Sequence, residues 1–428
     1  MRVVICLEER YCRTPDGSVW TKGPHSYGFW KRYLAVFDQV RVVARVLDVP
    51  ELTGRLTRVD GPDVECFPVP YYVGPAQFLR RAWAVRRAVR RSLCPTDAVI
   101  MRVSSLLAMI LEPELYATGR PYGLEVIGDP YDVFAPGVVE HPLRPFFRWW
   151  FARSLRRQCA RAAGTSYVTR RILQERYPAR SPLPGTSDVE LDDGAFVRHR
   201  QTLIESYSSV ELTPPDILAA ARSAVSTYRW GALRVVTVGS LEQPYKGVDV
   251  LLRAVAQCCS AGLLVRLTVV GDGRYRASLE RLATALGVSN SVSWTGQLGS
   301  MQEVRSVLDN AHLFVLASRT EGLPRAVLEA MARALPCIGT RIGGIPELLD
   351  DDDLVDPNDV NGLAFKIRQV AFDPARMSEM SRRNLATSRG YRAEILSARR
   401  ERFFKHIRAV TEAWIKRASK QSLRSEPR

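Results

Sequence analysis

The feature that most constrains the fold is a regular alternation of short apolar runs and helical patterns, in two series along the 428 residues. The apolar runs of the first series are Val3–Leu7, Val40–Val46, Val64–Val69, Ala98–Arg102, Leu124–Gly128 and Thr165–Thr169. Those of the second are Leu233–Gly239, Val265–Val270, Val292–Trp294, Leu313–Ser318, Cys337–Thr340 and Leu354–Asp356. Such alternation predicts parallel strands joined by helices that cover both faces of each sheet. Because the chain is too long for one hydrophobic core, the sequence predicts two α/β domains.

Composition excludes several classes of protein. Hydrophobic residues make up 46% of the chain, and the eight cysteines are scattered without a C-x-x-C pair, which indicates reduced thiols rather than disulfides or a zinc site. The five histidines show no ligand spacing, so no metal is expected. The run Met1–Leu7 is too short for a signal peptide, and no apolar stretch has the length of a membrane span. We therefore expect a cytoplasmic protein.

The net charge of +16 indicates an acidic partner, which could be a membrane surface, a nucleic acid or a phosphorylated substrate. Two predicted helices concentrate this charge. Residues 78–93 carry six arginines opposite an apolar stripe, and residues 144–161 combine arginines with five clustered aromatic residues. Two interpretations remain open for both helices. One is a solvated arginine face over an ordinary core helix, and the other is binding to the headgroups of an anionic membrane.

The segment Glu321–Ala332 follows a predicted strand and opens a predicted helix, with Pro324 suited to the first helical turn. Glu321 would precede the helix and Glu329 would lie about two turns inside it, about 10 Å away at 1.5 Å rise per residue. Ligands of open α/β sheets bind at the carboxyl ends of the strands. Glutamates are also common on ordinary surface helices, so this segment alone leaves both readings open.

Three further loops in the second half of the chain follow predicted strands. Gly239–Gly247 carries Lys246 directly ahead of a helix, Gly271–Arg276 carries two arginines, and Trp294–Gln297 ends another strand. Basic side chains and helix N-termini bind anions, so four such loops on one sheet predict an anionic ligand. The G-x-G at Gly271 is too short for a dinucleotide fingerprint.

These motifs, together with Gly343–Glu347, resemble the carboxy-terminal domain of glycosyltransferase family 4 over about residues 233–365. The resemblance implies retaining, nucleotide-sugar-dependent enzymes of the α/β GT-B fold, in which two Rossmann-like domains with parallel sheets face each other across a cleft. It implies an acceptor-binding domain at residues 1–205, a linker at 206–232 and a nucleotide-sugar-binding domain at 233–390. A helix at 391–418 would cross back to the first domain, ahead of a polar tail at 419–428.

The resemblance also implies roles for the site residues. Glu329 would accept hydrogen bonds from the donor ribose, Glu321 would hold the sugar hydroxyls, and Lys246 would neutralise the diphosphate leaving group, a form of electrostatic catalysis. No metal and no cofactor besides the donor substrate would be needed. The other donor-binding residues would be Gly239, Ser240, Gly271, Arg274, Trp294, Thr295, Gly296, Gln297, Gly322, Leu323 and Pro324.

The chain departs from the family pattern in two places. Ser240 stands where the family commonly has arginine, so Arg274 or Arg276 would have to contribute the missing charge. Asp129 stands in the region where many members have a catalytic histidine. On the acceptor side, the resemblance leaves Gly23 and His25 as candidates, although His25 could equally be an ordinary loop histidine.

The resulting expectation is a metal-independent hexosyltransferase that moves a sugar from a nucleoside diphosphate to a lipid-linked or polysaccharide acceptor. It would act in cell-surface, exopolysaccharide or capsular polysaccharide synthesis on the inner face of the membrane, with no nucleic-acid partner. Three alternatives remain open on the same architecture. They are a nucleotide-sugar epimerase, a phosphorylase and a non-catalytic binding protein.

Overall fold

Two parallel sheets organise the chain in the computed structural model. The structure describes residues 1–54, 56–135, 138, 141–179, 189–190, 196–197, 202–208, 211–222 and 231–425. The sheets lie in two Rossmann-like domains, as the alternation of strands and helices predicts.

The first sheet is built around the long strand β1. Its strands are β1 (Arg2–Arg13), β2 (Val19–Thr21), β3 (Gln39–Asp48), β4 (Thr57–Arg58), β5 (Val64–Pro70), β6 (Ala98–Val103), β7 (Gly123–Val126), β8 (Gly164–Tyr167) and β11 (Leu203–Ser206), while β9 (Val189–Glu190) and β10 (Phe196–Val197) form a separate pair. The parallel strands follow the order β5-β3-β1-β6-β7-β8-β11. The strand order therefore reverses direction between β1 and β6.

The helices of the first domain are α1 (Tyr27–Trp30), α2 (Gly74–Arg91), α3 (Leu106–Ala117), α4 (Pro130–Val133), α5 (Arg144–Arg161) and α6 (Ile172–Arg176). Helices α2, α3 and α5 pack on one face of the sheet, where Val85, Leu111 and Leu155 belong to the same buried cluster. The two basic stretches are thus helices with a buried apolar stripe, as predicted.

The second sheet is entirely parallel, with the order β14-β13-β12-β15-β16-β17. Its strands are β12 (Leu233–Val238), β13 (Val265–Val270), β14 (Val292–Gly296), β15 (Leu313–Leu316), β16 (Cys337–Thr340) and β17 (Leu354–Val355). The helices that follow them are α7 (Val248–Ser260), α8 (Arg276–Ala285), α9 (Met301–Asp309), α10 (Arg325–Ala332), α11 (Val360–Ala371) and α12 (Pro374–Ser388). Here the strand order reverses between β12 and β15.

All twelve apolar runs contain a strand, and the first strand is longer than its apolar run Val3–Leu7. Strand β1 continues to Arg13, and a short turn leads into β2, which pairs with it in antiparallel fashion. Apolar runs do not predict this hairpin, because polar residues occur throughout its strands. The domain limits stay a prediction, and residues 209–210 and 223–230 of the predicted linker lie outside the described residues.

The last helix, α13 (Ala393–Ser425), crosses back to the first sheet and contacts β6, β8 and β11. Phe403, Phe404 and Ile407 are fully buried there. The helix continues to Ser425, so the prediction that it ends at residue 418 was wrong, while residues 426–428 of the predicted tail lie outside the described part. Among the described residues, no helix is long and apolar enough to cross a membrane.

Phe403→Ala tests how firmly α13 is anchored. The ring packs close to the backbone at Gly164, where a Cβ would lie 3.2 Å from it, so its removal leaves a cavity. Truncating a buried phenylalanine costs about 3–5 kcal/mol, and we expect that loss in the free energy of unfolding of the first domain, measured by denaturant titration. The exposed Phe372 provides the control, because Phe372→Ala should change stability by no more than about 0.5 kcal/mol. Equal effects of the two substitutions would contradict the docking of α13.

Candidate active site

The reversal of strand order in the second sheet creates a crevice between β12 and β15. In open α/β sheets, ligands bind outside the carboxyl ends of the strands at such a point. The loop after β12 carries Lys246, and the loop after β15 carries Glu321. The two loops that sequence analysis selected thus flank the crevice.

Lys246 and Glu321 form an ion pair across this crevice. The Lys246 Nζ lies 2.6 Å from Glu321 Oε1, which also accepts a 2.7 Å hydrogen bond from the Ser318 hydroxyl. Both side chains are largely shielded, with exposed fractions of 15% and 9%. Burial alone would lower the pKa of Lys246, but the charge of Glu321 outweighs it and raises that pKa above its usual value. Lys246 is therefore a fixed cation at the centre of the crevice.

Close backbone packing holds the two loops together. Gly247 has φ +64°, and a Cβ there would lie 1.9 Å from the carbonyl oxygen of Ala317, so only glycine fits. Arg319 reaches back to the lysine loop, donating to the Pro244 carbonyl at 2.7 Å and to both oxygens of Asp249 at 2.9 and 2.7 Å. These contacts fix the backbone on either side of the Lys246–Glu321 pair.

Glu329 lies on α10, the helix that follows the Glu321 loop. The helix begins at Arg325 with Pro324 as its N-cap, so Glu329 lies about one turn inside the helix rather than the two turns predicted. Its carboxylate is mostly buried and accepts a 2.8 Å hydrogen bond from Arg325 Nε. Burial raises the pKa of Glu329, and Arg325 only partly offsets this. A buried carboxylate with one exposed partner can accept hydrogen bonds from the hydroxyls of a ligand.

Glycines bring the neighbouring strand-end loops into contact. Gly271 has φ +133°, and a Cβ there would lie 1.9 Å from the carbonyl oxygen of Gly239, while its N–H donates to the carbonyl of Gly296 at 2.9 Å. Gly239 in turn lies against the Lys246 side chain, since a Cβ would lie 3.1 Å from Lys246 Cδ. Gly239, Gly271 and Gly296, three of the glycines predicted on the donor side, thus bring the backbones of three strand ends into contact beside Lys246.

Arg274 and Arg276 were expected to contribute the charge that is missing at Ser240. The contacts described for both arginines are with residues of the second domain near them. Arg274 Nε donates to the Glu242 carbonyl at 2.7 Å, and Arg276 pairs with Asp272 and Glu280 at 3.6 and 2.8 Å. The Ser240 hydroxyl accepts a 3.2 Å hydrogen bond from the backbone N–H of Glu242. Among the described contacts, none joins either arginine to the Lys246–Glu321 ion pair.

The segment Trp294–Gln297, at the carboxyl end of β14, is divided between core and surface. Trp294 is half-buried and packs on the core of the second domain. Thr295 and Gln297 are exposed, and the Thr295 hydroxyl donates to the carbonyl of Gly296 at 3.1 Å. Of the predicted donor-binding residues in this segment, Thr295 and Gln297 are thus the ones with side chains open to solvent.

The first domain meets the second at the glutamate loop. A Cβ on Gly322 would lie 2.6 Å from the carbonyl oxygen of Ile127 and 3.5 Å from Val168, both beside the carboxyl ends of first-sheet strands. Gly344 donates to the Gly322 carbonyl at 2.6 Å. The side chain of Leu323 packs on the main core and Pro324 is buried. The two domains are therefore in contact beside Glu321.

His25 lies in the first domain with a partner that sequence analysis missed. Its Nδ1 is 2.6 Å from Glu9 Oε1, and its ring stacks on Trp30 at 5.8 Å. Burial lowers the pKa of His25, despite the opposing effect of Glu9. Gly23, nearby, donates its N–H to the Thr21 hydroxyl at 2.9 Å. The position of Glu9, directly after the first apolar run, was a signal that could have found it.

Asp129, the predicted stand-in for a catalytic histidine, is buried and committed to local structure. Its Oδ1 accepts from the Tyr131 N–H at 2.8 Å and from the Tyr177 hydroxyl at 2.5 Å, and Oδ2 pairs with Arg176. As the N-cap of α4, it stabilises the start of that short helix. Its catalytic role stays a prediction, and the contacts described for it are those of a structural residue.

A buried polar network occupies the reversal point of the first sheet. Arg102 pairs with Glu125, whose oxygens also accept from the Tyr33 and Tyr207 hydroxyls at 2.7 and 2.9 Å. Burial acts against ionisation of Glu125, but Arg102 and the two hydroxyls lower its pKa overall. Sequence analysis missed Arg102 and Glu125 because they lie inside apolar runs, and Tyr33 and Tyr207 because they lie outside the predicted elements. Within the described residues, no group of three or more His, Cys, Asp or Glu is arranged to hold a metal ion.

Comparison with known proteins places the second domain in a family. Residues 232–373 match the family described as "Glycosyl transferases group 1". Protein CapJ of Staphylococcus aureus is 23% identical over 88% of this chain and 88% of its own. The GDP-mannose-dependent alpha-(1-6)-phosphatidylinositol monomannoside mannosyltransferase of Mycolicibacterium smegmatis is 34% identical over 44% of this chain and 53% of its own. The match to that enzyme therefore spans about half of its length.

A solved structure extends the likeness to the whole chain. HepE of Anabaena, crystallised in complex with UDP, superposes with a TM-score of 0.58 at 16% identity over 94% of this chain and 98% of its own. At this identity the likeness establishes the fold, which is the GT-B arrangement of two Rossmann-like domains. Residues 232–373 therefore form a glycosyl transferases group 1 domain, and the chain as a whole has the GT-B fold.

Proposed function

We propose that this protein is a retaining glycosyltransferase of family 4, which moves a sugar from a nucleoside diphosphate to a lipid-linked or polysaccharide acceptor. The observation that carries the proposal is the Lys246–Glu321 ion pair at the reversal point of the second sheet, at 2.6 Å. It sets a shielded cation beside a carboxylate, which suits a diphosphate next to a sugar.

The contacts support a division of labour in the second domain. Lys246 binds the diphosphate and stabilises its charge as the glycosidic bond breaks. The Oε2 of Glu321 has no hydrogen bond within the described part of the chain, so it accepts from a sugar hydroxyl while Oε1 keeps Lys246 and Ser318 in place. Glu329 accepts from the ribose through Oε2, while Oε1 keeps its hydrogen bond from Arg325. The absence of a metal cofactor stays a prediction.

The relatives support two donor bases and a surface glycan or glycolipid acceptor. The Mycolicibacterium smegmatis mannosyltransferase is named as GDP-mannose-dependent and acts on a phosphatidylinositol mannoside, whereas the HepE structure holds UDP. A putative colanic acid biosynthesis glycosyltransferase of Escherichia coli is a further relative, at 31% identity over 39% of this chain. We therefore propose an acceptor in cell-surface glycan or glycolipid synthesis.

An acceptor of this kind lies at a membrane, and one face of the first domain suits an anionic bilayer. Helices α2 and α5 flank α3 on that face and carry many arginines. Trp83 on α2 is 73% exposed and Trp149 on α5 is 58% exposed, with Arg87 and Arg153 stacked on their rings. Exposed tryptophans among arginines bind the headgroup layer of anionic membranes. We propose peripheral binding to the cytoplasmic surface through this face.

Nucleotide binding tests the donor site. We expect either UDP or GDP to raise the melting temperature of the wild-type protein, since a ligand at one hundred times its dissociation constant adds about 2.7 kcal/mol. Glu329→Ala should abolish most of the shift, because the ribose loses its acceptor. Glu379→Ala is the control, because Glu379 is exposed on α12 and should leave the shift unchanged. If neither nucleotide shifts the wild type, the donor site is not where we propose.

The raised pKa of Glu329 predicts a pH dependence of donor binding. Ribose hydroxyls bind the ionised carboxylate better, so binding lowers its pKa and releases protons, and affinity rises with pH until Glu329 is fully ionised. We expect calorimetric titrations with UDP-glucose or GDP-mannose in mildly acidic buffers to give heats that depend on the ionisation enthalpy of the buffer. Glu329→Gln should remove that dependence. Proton uptake by the wild type would contradict the assignment.

Vesicle binding tests the membrane face. We expect sedimentation with vesicles rich in anionic phospholipid, reversed by salt, and little binding to neutral vesicles. Replacing both Trp83 and Trp149 with alanine should weaken binding about tenfold or more, because two exposed rings no longer insert. Phe365→Ala, at an equally exposed phenylalanine on α11 of the second domain, is the control. Unchanged binding by the double variant would leave the arginine faces as solvated surfaces only.

A further inference from the structure

A carboxylate of the second domain holds a loop of the first. Glu347 ends the short helical turn Ile345–Glu347 that follows the Gly343–Gly344 turn. Its Oε1 accepts hydrogen bonds from the backbone N–H groups of Arg171 and Ile172 at 3.0 and 2.8 Å, and its Oε2 accepts from Arg170 N–H. One side chain thus bonds three consecutive backbone groups across the domain boundary.

These three N–H groups lie at the start of α6, where helix geometry leaves backbone donors without partners. Arg171 is the N-cap of α6 and makes no side-chain cap hydrogen bond. The arginine side chains themselves go elsewhere, because Arg171 pairs with Glu175 at 3.2 Å and Arg170 lies over the Tyr391 ring at 5.1 Å. Glu347 therefore caps a first-domain helix through backbone contacts alone.

This contact adjoins the sugar-binding loop. Gly343 has φ +50°, and a Cβ there would lie 1.9 Å from the carbonyl oxygen of Glu321, while the Gly344 N–H donates to the Gly322 carbonyl at 2.6 Å. On the other side, a Cβ at Gly344 would lie 3.1 Å from Thr169 Cγ2 of the first domain. The glycine turn is thus held between Glu321 and the loop that Glu347 binds.

We infer that Glu347 is a positioning residue for glycosyl transfer, which keeps the cleft closed and holds the glycine turn against the backbone of Glu321 and Gly322. The inference rests on the proposed function for its catalytic consequence but not for the contact. If the domains separate, three charge-assisted hydrogen bonds break together, so this one side chain stabilises the closed cleft. The proposed nucleotide contacts lie within the second domain. Nucleotide binding should therefore not require the contact between Glu347 and the backbone of residues 170–172.

The test compares wild type with Glu347→Ala and Glu347→Gln. We expect Glu347→Ala to increase the radius of gyration in small-angle X-ray scattering and to speed amide exchange at residues 170–172. Glu347→Gln should do so less, because one oxygen still accepts. The affinity for UDP and GDP should stay within about twofold of wild type, because the second domain binds the nucleotide. The control is Glu379→Gln, at an exposed glutamate outside the cleft.

Turnover separates a positioning role from a structural one. With UDP-glucose or GDP-mannose, we expect Glu347→Ala to lower kcat for nucleoside diphosphate release about tenfold or more, with KM little changed, since three hydrogen bonds to a charged group are lost. Opening of the cleft with unchanged kcat would overturn the positioning role. Unchanged scattering and exchange in Glu347→Ala would contradict the inference that Glu347 keeps the cleft closed. If wild type binds neither nucleotide, the proposed function fails, and scattering still tests whether Glu347 keeps the cleft closed.

Discussion

The ion pair between Lys246 and Glu321 is the interaction on which the organisation of the second domain depends. A shielded lysine is costly without a partner, because its charge leaves water, and a carboxylate at 2.6 Å offsets that cost only if both loops are held still. The chain meets this requirement with backbone rather than side chains. Gly247 lies in contact with the carbonyl of Ala317, and Arg319 ties the second loop to the first. The same rigidity gives a diphosphate and a sugar fixed positions.

The strand order explains why these residues meet at all. Both sheets run outward in two directions from a central strand, β1 in the first and β12 in the second. Helices leave such a strand and its neighbour on opposite faces, which opens a crevice at their carboxyl ends. Lys246 follows β12 and Glu321 follows β15, the two strands that flank the crevice. Two residues 75 apart in sequence are thereby brought into contact.

Sequence analysis succeeded where one chemical pattern determines one local structure. Apolar runs such as Val265–Val270 became strands because burial on both faces selects continuous hydrophobic residues. The motif around Glu321 identified the crevice because its glycines and charges are needed at those positions. Sequence analysis failed where the role of a residue depends on partners that are distant in sequence. Nothing near Asp129 in sequence shows that Arg176 and Tyr177 will occupy its carboxylate, and Glu347 acquires its role only when the other domain is in place.

The two reversal points illustrate how one topology serves two purposes. In the first domain, Glu125 already accepts from Arg102, Tyr33 and Tyr207, and all four side chains are buried. A network that pairs both oxygens of a buried carboxylate in this way gives a rigid wall, because moving any of these partners would leave a buried polar group unsatisfied. In the second domain, Glu321 pairs with Lys246 through Oε1 alone and lies beside the crevice. The difference in pairing, rather than in fold, makes one reversal point a scaffold and the other a site for ligand.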